Sequence, residues 1–304
     1  MTDMVSWLFS QGLTGGPWRW PVEQHVYLLL DGVRIQELPR RLYEWSEGLL
    51  EADLLYAGTP WAAVSNVSPW LVRLSGPDDP VLQRFLKEGL EPEWGYLIIS
   101  QASLLEVADH LRRLVQVVHP SGIPMLLRLA DPAVMSALLT AESSPAHVPW
   151  GAIDQMVVPN AVTEEWGYGS PAQVQADPIA LDSEGYRLSE VQLARLQACD
   201  LRRDTRQLLS FVERHCNDWL PDTPKSQRYA CLERVIGEAR DMGFNTPREW
   251  ALLCTLMARL GTLTWHDHTD TPLYHELSDR RLGGIERLEA ALSAATTSQS
   301  HVTT

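Results

Sequence analysis

The chain has 304 residues, 45% of them hydrophobic and 21% charged, which suffices for one large domain or two ordinary ones. Its 25 Lys and Arg against 39 Asp and Glu give a net charge of −14, spread evenly, with 10 basic and 17 acidic residues in 1–150. Without clustered basic residues a nucleic-acid surface is excluded, and without an apolar run of about 18 residues a membrane span is too.

Residues 1–21 read as an N-terminal extension with little periodicity, carrying Trp7, Trp18 and Trp20. The first residues carry Asp3 and no basic stretch, so they do not form a secretory signal, and a cytoplasmic location is expected. From there strands and helices alternate. His25–Asp31 reads as a buried strand ending at the turn Asp31-Gly32, and 36–46 as a helix. Short strands follow at Asp53–Ala57 and Pro69–Leu74. Trp94–Ile99 is the most apolar strand, Ile123–Leu129 a further one, and 154–163 a last strand or a hairpin.

The clearest helix follows Ser103. Leu104, Val107, Ala108, Leu111, Leu114, Val115 and Val118 recur at spacings of three and four, and Ser103 with Glu106 forms a capping box. Asp79-Pro80, Asp131-Pro132, Thr223-Pro224, Thr246-Pro247 and Thr271-Pro272 each set a capping side chain before a Pro at the first helical position. Ser189 with Gln192 and Thr246 with Glu249 are further boxes.

Strand signals fade after about residue 165, and 173–187 is a Gly-, Pro- and Ser-containing connector. The remainder is helical. One stripe (Val191, Ala194, Leu196) breaks near Asp200 and resumes at Leu208, Leu209 and Val212. Cys231, Val235, Ala239 and Met242 end at Gly243; Trp250, Leu253, Cys254, Met257 and Leu260 end at Gly261. The expectation is an α/β or α+β lobe over 22–172, with a central sheet of roughly five to six strands, then an all-α lobe over 188–295 and a disordered tail over 296–304.

Signatures of catalysis are sparse. There is no G-x-S-x-G, H-E-x-x-H, Walker A or G-x-G-x-x-G pattern. Gly12–Gly16 is too loose for a phosphate loop, and Ser170 sits wrongly for a nucleophile elbow. The best metal candidate is His266, His268 and Asp270, in a polar loop where such residues are commonly just solvated. Cys199, Cys216, Cys231 and Cys254 form no C-x-x-C pair and read as small buried side chains. No cofactor is expected.

Asp31 and Asp131 fall at strand ends, where parallel α/β folds place their sites. Arg128 interrupts an apolar strand; a buried Arg needs a partner, and Asp31 could supply it. Trp is abundant, 12 against 4 Phe, and Trp is enriched at binding hot spots. Candidate partner contacts are Asp31, Tyr56, Trp61, Trp70, Trp94, Arg128, Asp131 and Trp250.

The series Tyr27–Gly32, Leu55–Pro60, Ser68–Leu74, Trp94-Gly95, His110–Arg113 and Arg128–Pro132, in this order and spacing, resembles the effector chaperones, or adaptors, of bacterial type VI secretion systems. Their N-terminal domain was long catalogued as one of unknown function. Leu129 and Ala130 stand where the family usually has an aromatic pair before Asp-Pro. The resemblance implies a cytoplasmic protein without enzymatic activity that binds a toxic effector encoded nearby and loads it onto the VgrG spike, with cargo held by the helical lobe. Two other readings remain open: an immunity-type protein that neutralises a toxin, and an unrecognised hydrolase or metal enzyme.

Overall fold

The computed structural model describes residues 20–140, 149–171, 185–220, 222–263, 272–279 and 281–302. Trp7, Trp18, Gly12–Gly16, nearly all of the connector, and His266, His268 and Asp270 lie outside them. The contacts divide the chain into two compact units, Met1–Cys199 and Asp200–Thr304.

The first unit is built on a six-stranded sheet. Its strands are β1 (His25–Leu30), β2 (Ala52–Leu54), β3 (Trp70–Leu74), β4 (Gly95–Ser100), β7 (Gln155–Asn160) and β8 (Glu165–Gly169), in the order β2-β3-β1-β4-β7-β8. Every pairing is antiparallel. The rule that sites gather at the ends of parallel strands therefore does not apply here, and the strand-end argument for Asp31 and Asp131 is corrected: they meet for another reason, given below.

The central strands read as unbroken apolar runs because both faces of the sheet are covered. Tyr27, Leu29, Tyr96 and Ile98 point into one core, closed by helices α3 (Leu104–Val115) and α4 (Pro132–Thr140). Val26, Leu28, Leu30, Leu97 and Ile99 point into the other, closed by α1 (Leu38–Trp45) and α2 (Pro80–Arg84) with the π turn Phe85–Gly89. Alternate side chains thus enter two hydrophobic layers. Gly95 keeps β4 against β1: a Cβ there would run into the Leu29 carbonyl.

The strand expected at Ile123–Leu129 shortens to β6 (Pro124–Leu126) and leaves the main sheet. It pairs with β5 (Gln116–Val118), which follows α3 directly, and β5 pairs on its other side with β9 (Tyr186–Arg187). The turn between β5 and β6 is closed by the His119 amide donating to the Ile123 carbonyl at 2.8 Å, with Gly122 at φ 90°. Leu127–Ala130 then runs outside any strand towards α4. The stretch 154–163 proves to be the first arm of the β7–β8 hairpin.

The capping box before α3 is present: Ser103 accepts from the Glu106 amide, and Glu106 accepts from the Ser103 amide at 2.8 Å. His110 on this helix is buried, its Nε2 3.0 Å from the Pro149 carbonyl, with Gly151 packed against the ring. Burial pushes its pKa down to about 4, outweighing the Pro149 hydrogen bond.

Helix α5 (Glu190–His215) is a single 26-residue helix, so the expected break near Asp200 is corrected; the division between units falls inside it. The second unit continues with α6 (Lys225–Asp241), α7 (Pro247–Leu260), α8 (Pro272–Ser278) and α9 (Gly284–Val302), the last running over the stretch expected as a tail. Pro224, not Thr223, stands at the N-cap position of α6, which has no side-chain cap. The core gathers Leu208, Val212, Leu232, Val235, Trp250, Leu253, Met257 and Leu288. Arg287 is buried within it, donating to the Leu277 carbonyl at 2.6 Å and lying over the Phe244 ring.

The four cysteines are free; Cys216 and Cys254 are buried, while Cys199 and Cys231 are only half-buried, a partial correction of the expected burial. At α7, burial raises the Glu249 pKa, but hydrogen bonds from Thr246 and Asn245 and the Arg287 charge hold it below the usual range. Replacing Thr246 with Ala removes one half of this box. It is expected to cost about 1 kcal/mol, checked as a lowered thermal midpoint.

Candidate partner-binding site

Four of the eight candidate residues meet at one place in the first unit. Asp31 ends β1 and is 3% exposed. Its amide donates to the Trp94 carbonyl at 2.8 Å, and its Oδ1 accepts from the Val33 amide at 2.8 Å. Oδ2 accepts from Arg128 Nη2 at 2.5 Å. The pair that the lone Arg in an apolar stretch suggested is therefore formed.

Asp131, 6% exposed, caps α4 through Oδ1, which accepts from the Ala133 amide at 3.0 Å. Its Oδ2 accepts from Arg34 Nη2 at 2.7 Å. Arg34 also donates through Nη1 to the carbonyls of Pro92 at 2.6 Å and Glu93 at 3.0 Å, and its Nε lies 3.7 Å from Asp31. Glu93, fully buried and at φ 51°, lies 3.7 Å from Arg34 and accepts from the Ala161 amide at 3.0 Å. Three carboxylates and two guanidiniums thus tie together the end of β1, the turn before β4, the start of α4 and the end of β7.

Arg34 and Glu93 are absent from the sequence candidates. Arg34 carries one usable signal, its position three residues after Asp31 in the same turn. Nothing in the pattern around Glu93 distinguishes it from a solvated turn residue.

Tyr56 is buried beside this cluster. Burial raises its hydroxyl pKa first, the Asp31 charge raises it further, and Arg128 opposes both. Its amide donates to Ser68 Oγ at 3.0 Å, and Gly32 lies so close to the Ser68 carbonyl that a Cβ would overlap it. Deep in the same core, Tyr96 donates to the Leu129 carbonyl at 2.9 Å; burial and then the Asp131 charge push its pKa well up.

The tryptophans are dispersed. Trp61 packs half-buried on the Tyr27 side of the sheet, and its Nε1 finds no acceptor among the described residues. Trp70 and Trp94 pack on the opposite side, Trp94 stacked on Trp45 at 5.7 Å. Trp250 belongs to the other unit, buried there with its indole donating to the Phe244 carbonyl at 2.8 Å.

Chemically the cluster is a fastener. Every carboxylate in it is held by a guanidinium, a backbone amide or both. Among the described residues no three His, Cys, Asp or Glu side chains converge as a metal set, and no helix is long and apolar enough to cross a membrane.

Within the first unit, residues 26–148 match the family described as Domain of unknown function (DUF4123), a stretch that includes Asp31, Arg34, Glu93, Arg128 and Asp131. The match falls where the motifs carry the family resemblance and bears it out. Beyond the domain, the chain is 29% identical over 283 residues to the accessory protein VasW of Vibrio cholerae serotype O1 (strain ATCC 39315 / El Tor Inaba N16961), covering 90% of this chain and 88% of VasW. No solved structure matches.

Proposed function

We propose that this protein is an adaptor chaperone of a type VI secretion system. It binds a toxic effector encoded nearby, in the cytoplasm, and loads it onto the VgrG spike without chemistry of its own. The observation that carries this reading is the likeness to an accessory protein over nine-tenths of the chain, second unit included. The carboxylates of the cluster support it, because each is held by a guanidinium or a backbone amide rather than left reactive. In this reading the first unit meets the shared spike and the helical unit meets the variable cargo.

Co-expression with the neighbouring toxin and with VgrG, followed by capture of the tagged full chain, tests the reading. A stable complex with both is expected; retention of neither removes it. If the chain alone protects cells from the toxin, the immunity reading takes its place.

A further inference from the structure

We infer that the outer edge of β6, from Ile123 to Arg128, receives an added strand: an extended apolar segment of a partner protein that bears a carboxylate. The inference rests on the adaptor reading and names a contact surface for it.

β6 ends the order β6-β5-β9. Along it, Ile123 and Leu127 direct backbone groups to β5, through the His119 amide on the Ile123 carbonyl at 2.8 Å and the Leu127 amide on the Val115 carbonyl at 2.9 Å. Met125, opposite Val117, belongs to the same set. In an antiparallel ladder the alternate residues face the other way. Pro124, Leu126 and Arg128 therefore face an edge where no described strand lies. Pro124 has no N–H, so the edge offers the Leu126 amide and carbonyl, the Pro124 carbonyl and the Arg128 amide. Unpaired edge groups of this kind template another strand.

Side chains beside the edge define the occupant. Ile123 is 63% and Leu126 45% exposed, large apolar side chains that flank the short strand on its opposite faces. In a chain of net charge −14, residues 110–130 contain no Asp or Glu and carry Arg112, Arg113 and Arg128. Arg112 is committed to Asp53 and Asp109. Arg128 spends a single N–H, from Nη2 to Asp31, and its side chain is 33% exposed, so the guanidinium presents further donors outward although its Nε is buried. Asp131 and Glu93 are held by Arg34 and by backbone amides, which leaves Arg128 shared with Asp31 alone. A guanidinium with unspent donors at the end of an apolar edge matches a carboxylate two or three residues along an apolar strand. A second copy of β6 would bring no acid to Arg128, since the stretch contains none.

The test uses the full-length protein and an array of short overlapping peptides covering the neighbouring toxin and VgrG. Leu126→Pro removes only an outward amide, at a position where an edge strand tolerates Pro; Leu126→Glu, which puts a carboxylate on the edge, serves if the first variant does not fold. The wild type is expected to capture apolar peptides containing Asp or Glu. Either Leu126 variant is expected to weaken capture about tenfold or more, and Arg128→Gln to abolish the preference for Asp and Glu over Asn and Gln. Capture by the wild type of no peptide, or of peptides without a carboxylate, overturns the inference; so does equal capture by the Leu126 variants. If Leu126→Pro instead turns a dimer into a monomer, a second copy occupies the edge and the inference falls. Whole toxin and VgrG retained equally by wild type and variant would leave the adaptor reading standing while removing this surface; retention of neither by the wild type would remove the reading itself.

Discussion

Replacing Arg34 with Met is expected to destabilise the first unit by about 3–5 kcal/mol, the usual cost of stranding buried charge. The side chain is 16% exposed and supplies the guanidinium for Asp131 and Glu93, both buried. Without it, the Pro92 and Glu93 carbonyls lose a donor as well. The measurement is a urea titration, read as a lower midpoint at unchanged slope. Arg34→Lys is expected to recover a minor part, because an ammonium is a point donor and does not span three acceptors. A midpoint unmoved in Arg34→Met would mean that the cluster does not hold the strand ends together.

Acid is expected to weaken the fold through His110. Its folded pKa of about 4 lies below the unfolded value near 6.5. Above the unfolded value both states are neutral and the residue contributes no pH dependence. As pH falls from there towards 4, the unfolded chain takes up a proton that the folded chain refuses, so stability is lost across that window and the loss then levels off. A shift of this size corresponds to about 3 kcal/mol. In His110→Gln the amide still reaches towards the Pro149 carbonyl but does not titrate. Stability measured against pH should therefore lose that part of the acid limb in the variant. Superimposable limbs would show that the ring is protonated in place.

The elements most legible in the sequence are those whose signal is local. The boxes at Ser103, Ser189 and Thr246 and the stop at Gly261 need only residues a turn apart, and all are present. β1 and β4 were legible because burial on both faces writes an unbroken apolar run. β6 was not, because Pro124–Leu127 is as apolar as a core strand, yet Leu126, in the strand paired with β5, lies at the surface. The Asp31–Arg128 pair followed from a charge out of place in an apolar stretch. Arg34 and Glu93 escaped because each sits in a turn, and only the antiparallel order, which sets the end of β1 beside the start of β4, turns two ordinary surface residues into the centre of the cluster. The continuity of α5 was equally hidden: Val191 and Ala194, read as the start of its buried stripe, are exposed, and the division between the units falls between Cys199 and Asp200 within the helix.

The central position of β1 has a consequence for synthesis. One of its two sheet neighbours, β4, ends roughly 70 residues after it along the chain. At bacterial elongation rates of about 5–20 residues per second, Val26–Leu30 waits some seconds before that side is covered. Pairings so distant along the chain also slow the search for the native topology. A nascent segment this apolar is a natural client of ribosome-associated chaperones.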